Sequence, residues 1–182
     1  MCRSRSGMVM VACAIALAWA LPRAAAAPPS KATERVLWYR HPAQNWEKEA
    51  LPIGNGRLGG MVFGGVAEEH IQFNEDSLWI GDESDTGAYQ AFGSVFIELG
   101  EGPFQDYRRQ LDLGDGVHEI TYTRDGTRYR REYFSSYPAQ VMVMRLTADK
   151  PSSYTGRIRL ADAHEAEIAV DGNRITSSGS LA

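Results

Sequence analysis

The chain has 182 residues, 43% of them hydrophobic and 23% charged, with a formal net charge of −4. Nucleic-acid recognition needs a basic footprint, so this acidic balance argues against a nucleic-acid partner and is compatible with neutral ligands such as sugars. The length is enough for one domain with a real core.

The opening residues, MCRSRSGMVMVACAIALAWALPRAAAAPPS, combine a basic start at Arg3 and Arg5, an apolar run from Gly7 to Leu21 and small residues from Ala24 to Ala27. That is the plan of a secretory signal peptide over residues 1–27, with cleavage expected close to Ala26–Ala27. The run is short for a membrane anchor, which takes about 20 apolar residues, so no stable span is expected after processing. It also continues past Cys13, which argues against lipid attachment there. Both cysteines, Cys2 and Cys13, leave with the leader, as do Arg3, Arg5 and Arg23. Lys+Arg then falls from 19 to 16 against 23 acids, and the net charge of the mature chain becomes −7. The expected localisation is exported, periplasmic or extracellular.

Residues 28–35 read as a flexible lead-in, and a β-sandwich is expected over 36–182. Short apolar runs with turn signals between them follow one another, without a long helical stripe. VLWY (36–39), RLGGMVFG (57–64), EHIQFN (69–74) and AFGSVFIEL (91–99) come first, and YRRQLDL (107–113) leads into HEITYTRDGTRYRREYFSS (118–136). Asp125-Gly126 is a two-residue hairpin signal. Its register sets Tyr122 against Tyr129 and Glu119 against Glu132, the second pair unfavourable unless Arg130 shields it. QVMVMRLTA (140–148) is apolar on both faces, as a central strand would be. RIRL (157–160) alternates with arginines and has one wet face. AEIAVDGNRIT (166–176) reads as a second Asp-Gly hairpin, pairing Ile168 with Ile175. Many antiparallel strands and little helix indicate an all-β, antiparallel sandwich. RITSSGSLA leaves an open sheet edge, so the sandwich is expected to be truncated at its C-terminus and to belong to a longer polypeptide.

Sites of chemistry are sparse. Glu75 and Asp76 are adjacent, and in an extended segment their side chains point to opposite faces, so they cannot flank one glycosidic bond. Asn74 and Asp76 suit turn and cap roles. Asp82, Glu83 and Asp85 make an acidic loop without the twelve-residue calcium spacing. His41, His70, His118 and His164 are scattered without metal-ligand spacing, so no metal and no cofactor are expected. Trp38, Trp46 and Trp79 could stack on sugar rings, although large aromatics are more often core fillers.

LWYRHPAQNWEKEALPIGNGRLGGMVFGGV (37–66) followed by EEHIQFNEDSLWIGD (68–82) resembles the N-terminal β-sandwich region of glycoside hydrolase family 95. YQAFGSVFIEL (89–99), YRRQLDLGDGV (107–117) and YRREYFSSYPAQVMVMRLTADKPSSYTG (129–156) carry the likeness further, and AHEAEIAVDGNRITSSGSLA (163–182) extends it to the C-terminus. The resemblance implies exported α-L-fucosidases, with some α-L-galactosidases, that use an inverting mechanism. It also implies that catalysis resides in an (α/α)6 barrel beyond this region, so no catalytic residue is expected here. The implied partners are that barrel, in the same polypeptide, and a fucosylated or related glycan as substrate. Many relatives in the family insert a helical stretch where Gly81 here reaches Tyr89 almost directly. Asn74, Glu75, Asp76 and Trp79 are then candidates for a domain interface or active-site rim. Gly54, Gly56, Gly59, Gly60, Gly64 and Gly65 are expected to shape turns, bulges or close backbone approaches. The alternative is a free-standing carbohydrate-binding β-sandwich without hydrolase activity.

Overall fold

The computed structural model describes residues 35–179; the expected leader and most of the lead-in lie outside them. The described chain is all β, in antiparallel strands without α-helix, and no helix is long and apolar enough to cross a membrane.

Fourteen strands form two five-stranded sheets and two small ribbons. The first sheet has the order β1 (Val36–Tyr39), β8 (Gln105–Asp112), β9 (Val117–Arg124), β10 (Thr127–Ser136), β11 (Val141–Ala148). The second runs β12 (Arg157–Asp162), β7 (Gly93–Glu98), β4 (Glu68–Glu75), β3 (Leu58–Val62), β2 (Leu51–Gly54). The ribbons are β5 (Trp79–Ile80) with β6 (Ala88–Tyr89), and β13 (Glu167–Asp171) with β14 (Arg174–Ser178).

Period-two alternation selects what goes inside. On β10, Thr127, Tyr129, Arg131 and Tyr133 point inward; on β8, Tyr107, Arg109 and Leu111 do. Tyr107, Tyr129 and Tyr133 meet Ile53, Val62 and Ile71 of the second sheet, and Val66 of the β3–β4 connection, in one core. The sandwich is therefore closed by tyrosines and aliphatic side chains.

The Asp125-Gly126 hairpin has the expected register, with Tyr122 opposite Tyr129 and Glu119 opposite Glu132. Both turn residues have positive φ, 51° and 66°, as a type I′ turn requires. Arg130 pairs with both glutamates, which removes their repulsion. The two tyrosine rings stack with centroids 4.9 Å apart.

Three expectations are corrected. β11 is an edge strand, not a central one: it pairs with β10 alone, and Val141 and Met144 are exposed. Apolarity on both faces reports what could be covered, whereas strand order depends on which neighbour supplies hydrogen bonds. In the second hairpin Ile175 pairs with Val170, and Ile168 with Ser177. The turn is Gly172-Asn173, because Gly172 takes the positive φ of 57° and Asp171 stays in the ladder opposite Arg174. Trp38, Trp46 and Trp79 are exposed (48%, 55% and 44%) and do not fill the core. A core holding buried charge favours tyrosine, whose hydroxyl both donates and accepts, over indole, which only donates.

Candidate functional site

The glycine-rich segment sorts into two places. Gly54 ends β2, Gly56 lies in the β2–β3 turn at φ 91°, and Gly59 and Gly60 sit within β3. Gly64 and Gly65 fall after β3, in the connection to β4, rather than inside a strand.

That connection is clamped by a buried polar network. The Glu69 carboxylate accepts from Gly64 N (2.7 Å), the Tyr133 hydroxyl (2.6 Å) and Arg131 Nη1 (3.3 Å). Arg131 also donates to the carbonyls of Gly65 (2.6 Å) and Val66 (3.1 Å) and to the Tyr122 hydroxyl (2.8 Å). Tyr107 donates to the Gly64 carbonyl at 2.6 Å. Glu69, Arg131 and Tyr133 have no exposed surface. Burial pushes the Glu69 carboxyl up, against the opposing pull of Arg131, Tyr133 and Gly64, and it drives Tyr133 well above an ordinary phenol. A Cβ on Gly65 would lie 1.9 Å from the Glu68 carbonyl oxygen, and one on Gly64 would meet the Tyr107 hydroxyl at 2.6 Å. Only glycine fits at either position.

Arg109 is a second buried guanidinium. It donates to the carbonyls of His41 (2.8 Å) and Glu49 (2.7 Å), lies 4.1 Å from the Tyr39 ring centre, and so fastens the loop between β1 and β2. Beside it His118 is fully buried, and its pKa is held down at about 3 by desolvation, then by Arg109. None of these residues stands out as a site in the sequence. The alternation in YRRQL and RYRREYF is signal enough, since Arg109 and Arg131 share parity with the inward tyrosines.

The second place is the corner where β4 ends. Asn74 and Glu75 are strand residues, not loop residues. Glu75 accepts from Arg57 Nε (2.7 Å) and from the backbone N–H (2.9 Å) and hydroxyl of Ser77. Glu75, rather than Asp76, therefore caps this turn. Its two oxygens have reach and charge that the expected capper, Asp76, does not use; Asn74 accepts only from Glu75 N. The hydrogen bonds of Ser77 and then of Arg57 lower the Glu75 pKa to about 2. A general acid needs a pKa near the working pH, so Glu75 is tuned away from proton donation. Asn55 tethers the corner: its Oδ1 accepts from Arg57 and Leu58 N–H, and its Nδ2 donates to Ser136 O across the sandwich. Trp79 stands beyond, edge-on to Tyr89 at 4.6 Å.

The loop after Trp79 closes on itself. Asp82 accepts from Ser84 N, Ser84 Oγ and Asp85 N, and Asp85 accepts from Gly87 N. Among the described residues no group of three or more His, Cys, Asp or Glu side chains could hold a metal ion.

Two packed five-stranded antiparallel sheets place the described chain in the class of all-β sandwich domains. The family described as "Glycosyl hydrolase family 65, N-terminal domain" matches residues 37–88 and 82–182, and the chain belongs to it. Similar proteins include Alpha-L-fucosidase 2 of Arabidopsis thaliana, 28% identical over 79% of this chain and 22% of its own length. Probable alpha-fucosidase A of Aspergillus oryzae is 31% identical over 65% of this chain and 22% of its own. Probable alpha-fucosidase A of Aspergillus niger is 29% identical over 96% and 26%. The chain thus spans about a quarter of the length of these relatives. The family description names an N-terminal domain of a glycosyl hydrolase, and these relatives carry fucosidase names.

Proposed function

We propose that this chain is the non-catalytic N-terminal β-sandwich of an exported glycoside hydrolase of family 95, whose full polypeptide hydrolyses α-L-fucosyl linkages. The match to an N-terminal domain over 37–182, among relatives about four times as long, carries this reading. The state of Glu75 supports it: a carboxylate held near pKa 2 by Ser77 and Arg57 is suited to bracing a corner. In this reading the partner is an (α/α)6 catalytic barrel of the same polypeptide, and Asn74, Glu75, Asp76 and Trp79 face it or edge its mouth. The substrate is a fucosylated glycan, no cofactor takes part, and residues 1–27 direct export.

Purified chain assayed against an aryl α-L-fucoside should show no turnover above buffer, and a polypeptide continued to the length of the relatives should turn it over. Turnover by the chain alone, abolished by Glu75→Gln, would overturn the reading.

A further inference from the structure

The outer faces of the two sheets differ in chemistry. On the first sheet the outward groove holds Glu119, Arg128, Arg130 and Asp149; Arg130 pairs with Glu119, and Asp149 accepts from the Arg128 backbone N–H. On the second sheet a groove of about 400 Å³ has no acidic or basic side chain in its lining. Its volume lies within the range of small-molecule sites, about 300–1,000 Å³.

Two exposed aromatics flank this groove, Trp46 (55% exposed) and Tyr89 (62%). Both are braced from behind. The turn carrying Trp46 is pinned by Asn45, whose Oδ1 accepts from Glu47 and Lys48 N–H at 3.0 Å, and by Arg109 through the Glu49 carbonyl. Tyr89 rests edge-on against Trp79 and pairs with it across the β5–β6 ribbon. Between them lie three amides, Gln72, Asn74 and Gln90. Among the described residues Gln72 makes no side-chain hydrogen bond, Asn74 spends only its Oδ1, and Gln90 spends only its Nε2.

The floor is cleared by a glycine. Gly59 lines the groove, and a Cβ there would have nothing within 4 Å. Its neighbour Gly60 faces the other way, toward Met142 in the core. Gly59 therefore keeps space open on the outer face with no internal packing reason.

We propose that this groove binds an uncharged pyranose of an oligosaccharide, one C–H face stacked on Trp46 or Tyr89 and its hydroxyls on Gln72, Asn74 and Gln90. A sugar ring has an apolar face and a rim of hydroxyls that both donate and accept. Braced aromatics meet the first, and amides, which also donate and accept, meet the second. The lack of charge in the lining disfavours an ionic ligand. The proposal deepens the carbohydrate reading above and rests on it.

The test is an NMR titration of the ¹⁵N-labelled full chain with 2′-fucosyllactose, with lactose as the unfucosylated comparison. Saturable shifts are expected at the Trp46 indole and at the Gln72 and Asn74 side-chain amides, with Kd on the order of 1 mM. Trp46→Ala and Gly59→Leu should each weaken binding about tenfold or more, the loss of one stacking contact or of the cavity. Should Gly59→Leu fail to fold, Trp46→Ala, at an exposed position, decides the matter. Response to both sugars supports a general glycan site, and response to 2′-fucosyllactose alone a fucose-reading one. No saturable shift, shifts confined to other residues, or shifts unchanged in Trp46→Ala would overturn the proposal. So would a Trp46 indole shielded from solvent and unresponsive to sugar in a polypeptide of the relatives' length, which assigns the face to an interdomain contact. Failure here leaves the domain reading standing, because that rests on turnover by the longer polypeptide.

Discussion

Glu69 and Glu75 lie on the same strand, six residues apart, and each meets an arginine: Arg131 at 3.3 Å and Arg57 at 2.7 Å. Their titration is displaced in opposite directions, Glu69 upward by burial and Glu75 downward to about 2 by hydrogen bonds from Ser77 and Arg57. The ion pair alone therefore does not decide what a carboxylate does. Water does. Glu69 is stripped of it and depends on protein donors for all its solvation, whereas the Arg57 side chain of the other pair is 57% exposed and its loss can be met by solvent.

The largest expected effect tests that contrast at its buried end. Arg131→Met leaves the Glu69 carboxylate and the carbonyls of Gly65 and Val66 without their donor, and should cost about 3–5 kcal/mol of unfolding free energy. Glu69→Leu should cost a similar amount, since it leaves the Arg131 guanidinium buried without its partner. The double variant Glu69→Leu/Arg131→Met should recover part of the loss, because neither charge of the pair then remains unpaired. Urea unfolding of the four proteins checks this, and strict additivity of the two single losses would break the contrast.

Next in size is the acid limb. His118 has a folded pKa of about 3 against an ordinary value of 6.5. A base whose folded pKa is depressed gives stability that is present above the unfolded value and lost as pH falls toward the folded one. Between about pH 6.5 and 3 the unfolded chain takes up a proton that the native one refuses, at up to about 1.4 kcal/mol per pH unit. Melting temperatures should fall across that window in the parent, and more shallowly in His118→Leu.

The smallest effect belongs to the exposed corner. Glu75→Gln should leave the melt near neutral pH within repeat scatter, since exposed pairs contribute little. The pKa of Glu75 is lowered, so its contribution is present above about 4.5 and fades as pH falls toward 2. A loss in Glu75→Gln rivalling that of Arg131→Met would mean that the corner is coupled to the core through Asn55.

Much of the fold was legible from local pattern. Asp125-Gly126 dictated a turn with two positive φ values, and that turn fixed the facing of Tyr122 with Tyr129 and of Glu119 with Glu132, because register follows from turn length. Alternation along β8 and β10 was enough to send Arg109 and Arg131 inward, although their charge masked the signal. The resemblance in LPIGNGRLGGMVFGGV and NEDSLW led to the right kind of enzyme domain without revealing what those residues touch.

Other features were decided by tertiary structure alone. Whether VMVMRL would be central or marginal depended on strand order, and one strand's composition does not contain its neighbours. The carboxylate that would cap the β4 corner was settled by Arg57 and Ser77 arriving from elsewhere in the chain or the turn, which favoured Glu75 over Asp76. Trp38, Trp46 and Trp79 stayed outside because the core was already filled by tyrosines able to satisfy Glu69, Arg131 and the Gly64 carbonyl. Sequence determined which residues alternate and where the chain can turn, since those are properties of neighbouring φ and ψ. Only the packing of one sheet on the other decided which charges lost their water, because desolvation is a property of everything around a group.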